Sequence, residues 1–138
     1  YDTVAPPILL DVTVGGRRIK AVAQVTKQAF TYVFDRVTGE PVWPIEERPV
    51  EPSTVPGERL SRTQPFPTRP PAFDRQGVTL DDLNDLTPEL KAEAVRLAAD
   101  YRMGPLFTPM IVAGTEGKRG LLMLPSATGG ANWQGGAA

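Results

Sequence analysis

The sequence predicts a mainly β fold broken by a Pro-rich and helical insert. Three features carry the prediction. Short β-branched and apolar runs that alternate at period two fill the first 35 positions. A Gly-Gly dipeptide separates the first two of those runs, the signature of a tight hairpin. Nine prolines then crowd positions 41–71 before the one convincing helical pattern.

In order, Ile8-Leu9-Leu10-Asp11-Val12-Thr13-Val14 reads as the first strand, and Gly15-Gly16 supplies the positive φ angles of the turn. Ile19, Ala21, Ala23 and Val25 recur at period two in the returning strand, small enough for another layer to cover them closely. After Lys27-Gln28 a third strand alternates, with Phe30, Tyr32 and Phe34 on one face and Thr31, Val33 and Asp35 on the other. Consecutive strands joined by short turns make an antiparallel meander. Asp35-Arg36-Val37-Thr38-Gly39 is a turn in which the Asp carboxylate accepts a backbone N–H and Gly39 takes the left-handed conformation. Trp43, four residues on, is expected as a core aromatic on a fourth strand.

From Pro41 to Pro71 neither a helix nor a central strand is expected, because proline removes donors and fixes φ. The PxxP spacings Pro41/Pro44, Pro49/Pro52 and Pro67/Pro70 follow from composition alone. A short helical turn is expected behind Thr79, with Asp81-Asp82 in it. The main helix opens on Thr87-Pro88-Glu89, an N-cap, a proline at the first position and an acid, and Gly104-Pro105 closes the segment. Leu90, Ala94, Leu97 and Tyr101 share a face narrow enough to dock on a larger body. The acids Asp81, Asp82, Asp85 and Glu89 complement helix starts and are not read as a metal cluster. A fifth strand is expected over Gly120-Leu121-Leu122-Met123-Leu124-Pro125, leading into Gly129-Gly130-Ala131-Asn132-Trp133.

Composition narrows the chemistry. At 138 residues and 41% apolar the chain has one domain's length and material for a core. It contains no Cys and no His, so a thiol nucleophile, structural zinc and a Ser-His-Asp triad are excluded within it. Fifteen basic and sixteen acidic residues without a basic stripe leave nucleic-acid capture unsupported. No run reaches the roughly eighteen apolar residues of a membrane-spanning helix. The opening at Tyr1 and the Gly-Gly-Ala-Ala ending suggest a piece of a longer protein.

The window Val33-Phe34-Asp35-Arg36-Val37-Thr38-Gly39-Glu40-Pro41-Val42-Trp43 resembles the tryptophan-docking motif of the quinoprotein dehydrogenases, eight-bladed β-propellers that bind pyrroloquinoline quinone (PQQ). Val33 stands where the family usually has Ala, while Asp35, Thr38, Gly39 and Trp43 agree. The strand-turn segment around Lys27, the Gly129-to-Trp133 segment and the opening Tyr1-to-Asp11 segment resemble others of the same family. The resemblance implies a partial β-propeller of about two blades: 1–43 as blade strands with the docking motif, 44–110 as the Pro-rich and helical insert, and 111–138 as the start of the next blade. It also implies that Lys27 reaches the quinone oxygens, that Asn132 and Trp133 border the PQQ ring, and that Trp43 wedges between blades.

By the same resemblance the general-base aspartate falls just before Tyr1, so no catalytic residue is assigned here; Asp2 is two positions off and does not take the role. Calcium ligands are expected in other blades, and no metal site is expected in this chain. The implied activity is hydride transfer from a small alcohol or sugar to PQQ, with electrons passed to quinone or cytochrome. The implied location is periplasmic, with anchorage to the inner membrane left open. Such a fragment is expected to be inactive and unstable alone, because each blade face needs a neighbour. A cofactor-free propeller scaffold is the alternative, since it needs the docking motif but has no reason to bring Lys27 and Asn132 to a common point. An independent Pro-rich interaction domain is the third reading, and it predicts a chain that folds alone.

Overall fold

A computed structural model describes residues Tyr1–Ala138. The predicted mainly β class is observed: five strands, one α-helix and two short 3-10 turns. Strands β1 (Ile8–Val14), β2 (Arg17–Val25) and β3 (Thr31–Asp35) form an antiparallel meander in that order. Val14 pairs with Arg17 across Gly15-Gly16, so the hairpin loop is the expected two residues long.

The register aligns one face of the three strands. Leu10 lies opposite Ala21, Val12 opposite Ile19 and Ala23 opposite Val33. Ala21, Ala23 and Val33 are buried together, and Leu10, Val12, Val42 and Trp43 pack on them. Two alanines in the middle strand leave the depth that the Trp43 indole fills. In β3 the buried position is therefore Val33, on the smaller of the two expected faces, while Tyr32 and Phe34 are half-buried.

The docking-motif residues close the turn after β3. Asp35 Oδ1 accepts from the N–H groups of Val37 at 2.8 Å and Thr38 at 3.4 Å. Thr38 Oγ1 accepts from Glu40 N at 3.2 Å, and Gly39, at φ +81°, donates to Asp35 O. Trp43 does not lie on a fourth strand. The chain makes a single bridge between Phe34 and Pro41 and one bond from Val42 N to Val33 O at 2.8 Å. Pro41 and Pro44 have no N–H with which to continue a ladder.

The Pro-rich region holds more strand than the sequence suggests. Strands β4 (Ile45–Pro49) and β5 (Thr63–Pro67) form a two-stranded sheet. Pro65 and Pro67 alternate, so their missing donors face one edge, and a two-stranded pair has an edge to spare. On that edge the Pro65 carbonyl accepts from the Tyr32 hydroxyl at 2.8 Å.

The chain divides into two compact units. One comprises Tyr1–Arg48, Pro65–Arg75 and Pro125–Ala138, and is called the blade unit here; the other comprises Pro49–Gln64 and Gln76–Leu124, the insert unit. Within the insert unit, Thr79 caps the expected turn Leu80–Asp82 through a capping box, and helix α1 (Pro88–Ala98) starts at Thr87, whose Oγ1 accepts from Leu90 N. The packed side of α1 differs from the expected stripe. Leu90 and Leu97 are exposed, Ala98 is buried, and Lys91 and Ala94 are half-buried. Small Ala94 and Ala98 permit a close approach, and Lys91 Nζ donates to the Leu80 carbonyl at 2.5 Å. Residues 120–125 form no strand but one bridge, Arg102 to Leu121, through Gly120 O and Leu122 N; the next backbone bond, from Gly77 N to Leu124 O, comes from a different segment, so no ladder is continued. No helix is long and apolar enough to cross a membrane.

Candidate functional site

Lys27 stands in the three-residue loop Lys27-Gln28-Ala29 that joins β2 to β3. The loop is closed by Thr26 and Phe30, whose backbones pair at 3.0 Å, and by the buried Thr26 hydroxyl at 3.2 Å from the Phe30 backbone N and O. Ala29 adopts φ +62° and is fully buried. A left-handed third residue is the usual way for a hairpin loop of this length to return to the ladder. Ala29 pays the strain of that conformation, and its carbonyl accepts from Phe73 N at 3.0 Å.

The segment after Pro125 lies against this loop. Gly130 N donates to Lys27 O at 2.9 Å and Ala131 N to Thr26 O at 3.3 Å. Gly129, at φ +89°, sits on the Lys27 stem: a Cβ there would stand 2.5 Å from Lys27 Cβ and Cγ. A Cβ on Gly130 would meet Ala29 Cβ at 2.9 Å and Phe73 Cε2 at 3.1 Å. No residue with a side chain fits position 129, and the glycine pair lets two backbones touch.

The Lys27 side chain is consequently only 16% exposed, although it is charged and lies in a loop. Its Nζ is 3.9 Å from Asp2 Oδ2, a carboxylate that is 87% exposed. An ion pair at that distance with so exposed a partner is weak, so the ammonium keeps most of its capacity to act on another anion. At the start of the segment that carries Gly129, the Pro125 carbonyl accepts from the Tyr1 hydroxyl at 2.7 Å, and burial raises the pKa of that hydroxyl, which keeps it a donor.

The structure lays the Lys27 loop against Gly129, Gly130 and Ala131, and the hydrogen bonds of the next residue, Asn132, stay within its own segment. Asn132 uses its amide to shape its own loop: Nδ2 donates to Thr128 O at 2.8 Å and Oδ1 accepts from Trp133 N at 2.9 Å. One N–H and one lone pair remain on that side chain. Trp133 is 73% exposed and offers an open indole. Sequence reasoning missed three participants. Phe73, half exposed beside Gly130, carries no local signal because it reaches the loop from the far end of the Pro-rich stretch. Arg36 Nη1 donates to the Leu10 and Ala21 carbonyls at 3.2 Å, tying the docking turn to the sheet. Asp2 was assigned nothing, yet it is the acid nearest Lys27. No group of three or more acidic side chains is placed to hold a metal ion.

Comparisons with known proteins bear on the family of the chain. The family profile described as glucose/ethanol/alcohol dehydrogenase, β-propeller domain, of the PQQ type matches residues 1–138. The quinate/shikimate dehydrogenase (quinone) of Acinetobacter baylyi is 31% identical over 134 residues, which is 96% of this chain and 16% of that protein. The glycerol dehydrogenase large subunit of Gluconobacter thailandicus is 34% identical over 90 residues, 64% of this chain and 12% of that protein. The quinoprotein glucose dehydrogenase of Escherichia coli is 37% identical over 65 residues, 47% of this chain and 8% of that protein. The chain thus spans at most 16% of the length of these three relatives. No solved structure matches it significantly. Matched along its whole length and carrying the docking turn, the Lys27 loop and the glycine pair in one sheet unit, the chain belongs to the PQQ-type glucose/ethanol/alcohol dehydrogenase β-propeller family.

Proposed function

We propose that this chain is the part of a PQQ-dependent dehydrogenase that presents Lys27, Asn132 and Trp133 to the cofactor, in an enzyme oxidising a small alcohol or sugar. Glucose, glycerol and quinate in the relatives' names all belong to that substrate class. The observation that carries the proposal is the Lys27 side chain, 16% exposed, whose ammonium lacks a tight counter-ion. A tricarboxylated quinone fits that donor set: one fixed cation, an amide with a free N–H and a free lone pair, and an open indole face. When bound, PQQ supplies an ortho-quinone that accepts the electron pair of the substrate's C–H bond.

The residues of this chain then have separate tasks. Lys27 holds positive charge beside oxygens that gain negative charge, and a preorganised cation in a partly dry site does this without reorganising. Asn132 fixes an edge by hydrogen bonding, and Trp133 supplies an apolar wall. Asp2 steadies the ammonium weakly and leaves it available. The general base, the calcium ligands, the acceptor quinone or cytochrome, the remaining blades, and a periplasmic setting with or without an inner-membrane anchor complete the proposal outside these residues.

The test uses the full-length parent. Adding PQQ and calcium to the cofactor-free protein is expected to produce dye-linked dehydrogenase activity, and Lys27→Ala to lower kcat about 10²–10³-fold with an unchanged melting temperature. Full turnover in that variant removes Lys27 from the mechanism. A parent that neither binds PQQ nor turns over supports the cofactor-free scaffold.

A further inference from the structure

We infer that Gly129 is a positioning residue for Lys27: its bare Cα is the surface against which the lysine stem lies, and this contact aims the ammonium. The inference rests on the role proposed for Lys27 but adds a residue on a different segment and a physical cause. Three observations carry it. A Cβ at position 129 would fall 2.5 Å from both Lys27 Cβ and Cγ and 2.6 Å from Lys27 Cα, inside the distance any carbon tolerates. The backbone on either side is anchored, through Gly130 N to Lys27 O at 2.9 Å and Gly129 N to Ser126 O at 2.9 Å, so a side chain cannot swing the segment away cheaply. Relief has to come from Lys27 and its loop: Cγ can turn to another rotamer, Cα and Cβ move only with the backbone, and the ion-pair partner Asp2, at 3.9 Å and 87% exposed, is too weakly held to keep the head in place.

Gly130 provides the internal control. The three atoms closest to a methyl group there belong to Ala29 and Phe73, at 2.9 to 3.3 Å, so Gly130→Ala stresses the same loop without the overlap on the lysine stem. Displacing a reacting group by about 1 Å costs on the order of 10²-fold in rate. Gly129→Ala should accordingly lower kcat by about 10²-fold, with little change in substrate KM.

Trace acetylation with acetic anhydride, read lysine by lysine by peptide mass spectrometry, measures the clamp without reference to turnover. It is done on the full-length parent, with and without PQQ, and exposed Lys20 on β2 is the internal standard. Lys27 should label several-fold more slowly than Lys20 in the unmodified protein. Gly129→Ala should raise Lys27 labelling several-fold and Gly130→Ala should leave it unchanged. Equal labelling of Lys27 and Lys20 in the unmodified protein overturns the inference even if Gly129→Ala fails to fold. So does a folded Gly129→Ala protein with unchanged Lys27 labelling and kcat, or equal Lys27 labelling in the two glycine variants. Full turnover by Lys27→Ala instead overturns the catalytic role itself, and the labelling pattern distinguishes that result from a failure of the clamp alone.

Discussion

Burial in the blade unit alternates along the strands: Ile19, Ala21 and Ala23 are buried, and the residues between them are exposed or half-buried. In the insert unit the one α-helix buries only Ala98, while Leu90, Val95 and Leu97 stay exposed. The two regions are held by different means. The first is a hydrogen-bonded ladder covered by Trp43 and Val42. The second is a set of loops brought close enough for isolated backbone bonds, such as Gly77 N to Leu124 O at 2.7 Å and Val78 N to Gly104 O at 2.9 Å. The candidate site belongs wholly to the laddered unit. A lysine has to be aimed to within about 0.5 Å to serve as a preorganised charge, and a loop closed by two paired strands is stiff enough to aim it.

Trp43→Ala gives the largest stability change by which the comparison can be broken. Removing an indole from a packed site costs about 3 kcal/mol, because Ala21 and Ala23 are too small to collapse into the space. In the full-length parent, hydrogen exchange of the β2 and β3 ladder amides should accelerate by about a hundredfold. Amides of the insert unit such as Val78 and Leu122 should keep their rates. Acceleration of equal size in both sets means that one cooperative unit, and not two, is present.

Gly77→Ala is the converse. Gly77 has φ +98°, and a Cβ on it would stand 2.5 Å from Gly104 O and 2.7 Å from Pro105 Cα. Strained backbone and overlap with immobile backbone atoms together cost about 2 kcal/mol. Faster exchange at Val78 and Leu122 with an unchanged β2–β3 ladder sharpens the distinction. An unchanged rate at Val78 shows that the close approach does not hold the insert unit.

The same contrast governs what the sequence made legible. Period-two alternation and the Gly-Gly turn placed β1, β2 and β3 correctly, because a ladder imposes its period on the residues that cover it. The caps at Thr79 and Thr87 were legible because capping is local chemistry, satisfied within four residues. The packed side of α1 was not, since Lys91 lies inward by bonding the Leu80 carbonyl and a hydropathy pattern assigns a lysine outward. The strands β4 and β5 escaped because proline counts against a strand unless its missing donor faces a free edge, and that edge is a tertiary fact. At the site, the Lys27 loop and the Gly129-to-Trp133 segment were suggested by resemblance, but the contact of that loop with Gly129, Gly130 and Ala131 spans about a hundred residues of chain and has no local signature. Phe73 was illegible for the same reason.

The smallest effect concerns Tyr32, on the blade unit's half-buried face. Burial, reinforced by the negative charge of Glu47, pushes its hydroxyl pKa up to about 12 from the ordinary 10.0 of a tyrosine. The neutral phenol donates to Pro65 O at 2.8 Å, a bond the phenolate cannot make. Because the folded pKa lies above the unfolded one, the unfolded chain loses this proton first. The stabilisation is therefore fully present below pH 10 and disappears as the pH rises through about 12. The difference in phenolate absorbance between the parent and Tyr32→Phe should show a midpoint near 12, and Glu47→Gln should lower it, leaving only the larger contribution of burial. Tyr32→Phe should cost about 1 kcal/mol at neutral pH and much less at alkaline pH, where the parent has lost the same bond. A midpoint at 10 would mean that the hydroxyl faces water and that β5 does not cover it, which removes the edge contact on which the proline strand was explained.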